Sequence, residues 1–250
     1  FRRDEELNTL IPRKSTTTFD IRRGIELMAD RDSFFEIGTH WGTDQVTGFV
    51  RFDGYPVGVV GSDSRHINGG ALTADGCDKC IRFIDLCDVF HIPIVNLCDN
   101  PGFAVGLEHE IKGTIRKGAS WMVAWSQAQV PVFTVFMRRS FGVGGNNYAA
   151  PQGNSGMTRV CWPSVNAGSL PVEGGVEAAY KAQLNEAEEQ GGPEAREAFK
   201  QNIMDLINAQ ATPMRAVSNF GIEQMIYPAE TRRYICEWIG LAYNKLGQAT

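Results

Sequence analysis

Two glycine turns carry the residues of this chain best suited to chemistry. The first is Asp99-Asn100-Pro101-Gly102-Phe103, with Gly106 just beyond; the second is Phe141-Gly142-Val143-Gly144-Gly145, followed by Asn146. Each comes directly after a short apolar run. Glycine has no Cβ, so main-chain N–H groups beside it can approach a ligand closely, and the ends of buried strands are the usual place for such contacts. Two turns of this kind can aim amides at one anionic oxygen. Taken alone, a Gly-x-Gly-Gly after a strand reads first as a tight turn. It is also a poor dinucleotide loop, because Asn147 stands where the third glycine would be and no phosphate-loop Lys-Ser/Thr follows.

The runs over 92–98 and 132–137 are apolar and partly β-branched, as expected of strands covered on both faces. Residues 110–129 between them have helical spacing, so the unit reads strand, turn, helix, strand, turn. Trp121 and Trp125 lie four apart beside Met122, a packing stripe, while Glu108, His109 and Glu110 suit an exposed loop or a first helical turn. Upstream, Asp20 opens a helix that runs to Met28, a strand is predicted over 33–37, and strands over 47–52 and 57–61 are joined by Asp53-Gly54-Tyr55-Pro56. A helix over 74–90 completes the alternation of an α/β protein. Residues 181–210 are polar and predict two surface helices with a turn at Gly191-Gly192-Pro193.

The chain has 250 residues, 43% hydrophobic and 21% charged, enough to bury a full core. A net charge of −5 argues against general affinity for nucleic acid or an anionic membrane, although Arg138-Arg139 could hold a phosphate locally. No apolar run approaches the length of a membrane span, and Phe1-Arg2-Arg3-Asp4 does not resemble a signal peptide, so cytoplasm or an organelle matrix such as the mitochondrial one is the expected compartment. Cys77-Asp78-Lys79-Cys80 is a C-x-x-C without a second pair, and His40, His66, His91 and His109 show no zinc-finger spacing. Cys77, Cys80, Ile81, Ile84 and Cys87 fall near one helix face, which predicts core packing for these thiols instead of a metal or redox role.

Several segments together carry a family resemblance. In order they are Gly58-Val59-Val60-Gly61, the helix ending in Phe90-His91-Ile92-Pro93, Asp99-Asn100-Pro101-Gly102-Phe103 with Gly106, Ile115-Arg116-Lys117-Gly118-Ala119, Arg138-Arg139-Ser140-Phe141-Gly142, Trp162-Pro163, Gly174-Gly175-Val176-Glu177 and Ile226-Tyr227-Pro228-Ala229-Glu230-Thr231-Arg232-Arg233. This series resembles the carboxyltransferase (beta) subunit of biotin-dependent acyl-CoA carboxylases, and specifically its second half. The collinearity spans nearly the whole chain.

The resemblance implies an α/β crotonase-like fold of β-β-α superhelical type, with residues 1–250 as one C-terminal carboxyltransferase domain. It implies an active site where this half meets the first half of another protomer, that half coming from the same longer chain or from a separate subunit. An oligomer is expected. The implied chemistry moves a carboxyl group from biotin, carried on a biotin carrier with its biotin carboxylase component, to the α-carbon of an acyl-CoA. Charge develops on the biotin ureido oxygen and on the thioester oxygen, and preorganised N–H donors stabilise both. The freed biotin nitrogen takes the α-proton in the family, so no side-chain base is required. Matching the family's aromatic-Gly-Gly-Ala turn assigns the ureido hole to the N–H groups of Val143 and Gly144, with Gly102 and Phe103 as secondary donors and Phe141, Gly142, Gly145, Asn146, Pro101 and Gly106 lining the substrate. No metal, nucleic acid or membrane is expected here. A decarboxylase running the same transfer in reverse, and an assembly module dependent on its partner half, share these features.

The chain departs from the family pattern within the second turn. Val143 replaces a glycine and Gly144 an alanine, Gly145 and Asn146-Asn147 replace a Tyr-Asp pairing, and valine resists positive φ. Asn146 falls where the family places a residue that influences acyl-chain choice. Residues 154–159 match poorly and receive no role.

Overall fold

A computed structural model describes residues 2–14, 16–148, 156–169 and 172–248. The β-branched and aromatic runs form one eight-stranded sheet: β1 (Phe35–Ile37), β2 (Gln45–Phe52), β3 (Tyr55–Ser62), β4 (Ile94–Asn100), β5 (Val132–Phe141), β6 (Thr158–Cys161), β7 (Asn166–Gly168) and β8 (Gln224–Met225). Its order is β1-β2-β3-β4-β5-β6-β8, with β7 beside the far end of β5. The first three strands form an antiparallel meander, and every pairing from β3 onward is parallel.

Helices cover both faces. In chain order they are α1 (Leu7–Leu10), α2 (Ile21–Met28), α3 (Ala74–Val89), α4 (Leu107–Ile111), α5 (Thr114–Gln127), α6 (Gly142–Asn146), α7 (Val172–Ala179), α8 (Lys181–Gln210), α9 (Pro213–Ser218) and α10 (Thr231–Gln248). Alternation along β4 and β5 sends Val95, Leu97, Phe133, Val135 and Met137 into a core shared with Ile21, Ile25, Ile235, Trp238 and Ile239. Ile94, Cys98, Val132 and Phe136 enter the opposite core with Cys77, Cys80, Ile84, Cys87, Trp121, Trp125 and Tyr148. The strands therefore read as continuous apolar runs because neither face meets water.

Several boundaries differ from the sequence reading. The helix expected over 110–129 is two helices, broken where Gly113 takes a left-handed φ of 68° ahead of α5. β5 runs four residues past 137 because β7 offers Arg139, Ser140 and Phe141 a parallel partner that the periodicity did not reveal. β4 begins at Ile94 and reaches Asn100, and the turn between β2 and β3 tightens to Asp53-Gly54, both with positive φ. The expected break in the polar arm is present as the kink at Gly192 (φ 73°, ψ −172°) inside α8.

Candidate active site

The site begins with a carboxylate. Asp99 lies near the end of β4, where the pairing with β5 slips between Cys98 and Asn100, and its side chain is fully buried. It receives Nε (3.0 Å) and Nη2 (2.8 Å) of Arg138, Nε and Nη2 of Arg139 (both 2.9 Å), and the Arg139 main-chain N–H (3.0 Å). Burial alone would raise its pKa, but the hydrogen bonds and charges of Arg138 and Arg139 outweigh this and hold it below the usual carboxylate range. The Arg138-Arg139 pair is thus an internal clamp and not the local phosphate holder that charge alone suggested. It joins the ends of the two strands that lead into the two glycine turns.

Asn100 shapes the first turn. Its Oδ1 accepts the Gly102 N–H at 2.8 Å and its Nδ2 donates to the Gly70 carbonyl at 3.2 Å. Gly102 has φ 123°, and the chain continues into a short bridge in which Leu72 N–H donates to Gly102 O and Ala104 N–H to Leu72 O, both at 2.9 Å. The Gly102 amide, one of the two secondary donors, is therefore engaged within its own turn. The Phe103 N–H has no partner among the described residues. The Phe103 ring rests against α5 at Gly118, where an added Cβ would stand 2.3 Å from Cζ.

The second turn is the short helix α6. Its backbone reversal falls on Gly142 (φ 58°), while Val143 lies within the helical turn, so the valine that the resemblance sets against a glycine meets no positive-φ strain. The amides of Val143 and Gly144 stand in the first turn of α6, ahead of any intrahelical carbonyl partner. A Cβ at Gly144 would lie 2.9 Å from Asn100 Oδ1 and from the Cα and carbonyl carbon of Gly102. The two glycine turns are therefore in direct contact, and only glycine permits that approach.

Of the other sequence-assigned residues, Phe141, Gly144 and Gly145 are buried, Pro101, Gly102, Phe103 and Gly142 are half-buried, and Gly106, Val143 and Asn146 are exposed. Glu108 and Glu110 are exposed on α4, as expected. Asn100 stood within a motif with no role attached, although a buried side-chain amide beside a glycine turn is its physical signal. Tyr148 and Leu72 carried no local signal.

Residues 1–249 match the carboxyl transferase domain. The chain belongs to this family. It is 33% identical over 241 residues to the methylmalonyl-CoA carboxyltransferase 12S subunit of Propionibacterium freudenreichii subsp. shermanii, covering 96% of this chain and 44% of that subunit. It is 30% identical over 242 residues to the propionyl-CoA carboxylase beta chain of Cereibacter sphaeroides, covering 97% of this chain and 45% of that one. A transcarboxylase 12S crystal structure with methylmalonyl-coenzyme A bound superposes with a TM-score of 0.83 at 27% identity, covering 97% of this chain and 45% of that chain. This carboxyl transferase domain has the crotonase-like fold. It spans less than half the length of these relatives.

Proposed function

We propose that residues 1–250 form the second, biotin-receiving half of a biotin-dependent acyl-CoA carboxyltransferase, which moves a carboxyl group between carboxybiotin and the α-carbon of an acyl-CoA. The observation that carries the reading is the contact of two glycine turns, with the amides of Val143, Gly144 and Phe103 left without a partner among the described residues. Donors of this kind fit the ureido group of biotin, whose oxygen gains negative charge as the carboxyl group departs. When bound, carboxybiotin supplies the carboxyl group and the leaving nitrogen.

The Val143 and Gly144 N–H groups would hold that oxygen, and because the Asp99 clamp and the Gly144 contact fix both turns beforehand, little reorganisation is needed as charge develops. The Phe103 N–H is the second-rank donor. Asn146 and Gly106, exposed beside the turns, would face the acyl chain, with Pro101, Phe141, Gly142 and Gly145 shaping the walls. Asp99 would take no proton, since two arginines hold it ionised.

The missing acyl-CoA surface would come from a first crotonase-like half, and the carboxyl group from a biotin carrier with its carboxylase. The names of the relatives support an acyl-CoA substrate, and a hexameric neighbour supports an oligomer. No helix among the described residues is long and apolar enough to cross a membrane, and a cytoplasmic or matrix location is our reading.

The test is carboxyl transfer in the complex reconstituted with the first-half domain and carboxylated biotin carrier. Gly144→Pro removes one amide and should cost about a hundredfold or more in rate, the typical loss of one oxyanion donor. His109→Ala and Glu110→Ala should stay within about tenfold, having no acid or base role. Near-normal turnover of Gly144→Pro with loss in His109→Ala would replace the amide assignment by side-chain acid–base chemistry.

A further inference from the structure

Two residues beyond α6, which carries the second glycine turn, one side chain is anchored far more heavily than packing requires. Tyr148 is fully buried, and its N–H donates to Gly145 O at 3.1 Å, which ties it to α6. Its carbonyl accepts Asn96 Nδ2 (3.0 Å) from β4 and Thr134 Oγ1 (3.2 Å) from the first half of β5. Its ring meets Trp121 of α5 edge-on, with centroids 5.1 Å apart.

The hydroxyl continues the chain of contacts away from the turn. Ser62 Oγ of β3 donates to it at 2.7 Å, and it donates in turn to Gln45 Oε1 of β2. Gln45 Nε2 donates to Asp44 Oδ2 (3.0 Å), and the same carboxylate accepts the Thr73 N–H (3.0 Å) and Thr73 Oγ1 (2.7 Å) at the start of α3. Asp44, Gln45 and Ser62 are all buried. A short helix carrying three glycines has little stiffness of its own, so the placement of its amides depends on what holds its C-terminal end.

From this network we propose that Tyr148 is a positioning residue for the carboxyl transfer: through its hydrogen bond to Gln45 it fixes the height of α6, and so the Val143 and Gly144 amides, relative to the sheet. The inference rests on the carboxyltransferase reading. Its effect falls on the transition state, where those amides meet developing charge, and not on binding of acyl-CoA, which belongs mostly to the other half. Burial pushes the phenol well above its ordinary pKa, so the hydroxyl stays a donor across the working range and its removal should lower the rate equally at every pH.

The experiment compares wild type, Tyr148→Phe, Gln45→Leu, the double variant and a plain core variant, Ile84→Val, in the reconstituted complex. Wild type is measured first: absence of carboxyl transfer there sinks the function reading, and the present inference with it. With wild type active, Tyr148→Phe should lose about tenfold in kcat with KM for acyl-CoA within twofold and no shift in the pH profile. Gln45→Leu should lose a similar factor, the double variant no more than the worse single one, and Ile84→Val should keep kcat despite a lower Tm. If Tyr148→Phe does not fold, Gln45→Leu alone decides by the same split between kcat and KM. A kcat unchanged in folded variants of lower Tm, or losses that multiply in the double variant, would overturn the proposal.

Discussion

At the scale of single residues, the chain's own departures from the family turn become intelligible through what they touch. The family resemblance sets Gly144 against an alanine, and here a methyl group would press at 2.9 Å on the backbone of Gly102. Gly144→Ala should therefore separate the two turns and lower kcat by about tenfold or more, as small misplacements of reacting groups do; kinetics of the assembled complex checks this, and full activity would show that the contact is dispensable. Asp99 makes a second residue-scale prediction. Its folded pKa is depressed, so its stabilising contribution is present above the unfolded value of about 3.9 and is lost as pH falls through the folded value. Removing the charge with Asp99→Asn leaves two arginines without their carboxylate and should cost on the order of 3 kcal/mol at neutral pH. Urea titration at pH 7 and below pH 4 should show the gap between wild type and variant narrowing in acid. The turn glycines were legible in the sequence because their spacing after apolar runs is local. The role of Asp99 was not, because it depends on arginines 39 and 40 positions away, and that of Asn100 only in part, since it accepts the Gly102 N–H locally but donates to Gly70 O 30 positions away.

At the scale of elements, periodicity located α2, α3, α5 and the bodies of β2 to β5, gave no sign of β6 to β8 or α10, and failed at boundaries where a glycine turn or a distant strand decided the outcome. The break at Lys112-Gly113 is only two residues wide, and apolar spacing continues on both sides of it, so pattern alone joined α4 to α5. The extension of β5 has the opposite cause, since Arg138 and Arg139 do not resemble strand interior until β7 and Asp99 engage them. The reading of α3 needed only its own sequence. Its cysteines face the core, where burial pushes the thiols of Cys77 and Cys80 up, as it pushes Cys98 on β4 up to about 12. Cys77 and Cys80 should react with a thiol reagent only at the rate of unfolding, and rapid labelling of the native protein would refute the packing assignment. The N-terminus of α3 carries a further test. Thr73 Oγ1 accepts the Gly76 N–H at 3.0 Å and donates to Asp44 Oδ1 at 2.7 Å, so Thr73→Ala removes a helix cap and one end of the buried polar network together. Its cost should exceed the ~1 kcal/mol typical of a lone cap, measured by denaturant unfolding.

At the scale of the whole molecule, both core faces of the sheet are filled, yet the chain leaves the first glycine turn into a run of large apolar side chains that no described residue covers. Val105 is 85% exposed, Leu107 77%, Ile111 75% and Ile115 59%, with Leu107 and Ile111 four apart on α4 and Ile115 in the first turn of α5. Exposed apolar surface of this extent beside a candidate active site marks an interaction face. On the proposed function, the occupant expected for this face is the first crotonase-like half of the relatives, which this chain does not span. Composition could not disclose this, because a core side chain and an interface side chain are the same residue type until the fold shows which of them lacks a neighbour. Because α4 buries no side chain in the described residues, Leu107→Asp with Ile111→Asp should leave the thermal unfolding of the isolated chain within a degree or two. The same pair should weaken assembly with the first-half domain by about a hundredfold or more, since two apolar anchors at an interface centre typically carry ~3 kcal/mol together. Titrating that domain into wild type and variant, with carboxyl transfer as one readout and sedimentation as the other, separates the outcomes. If the variant assembles and turns over like wild type, the stripe lies outside the interface, and the partner half must approach the two glycine turns from another side.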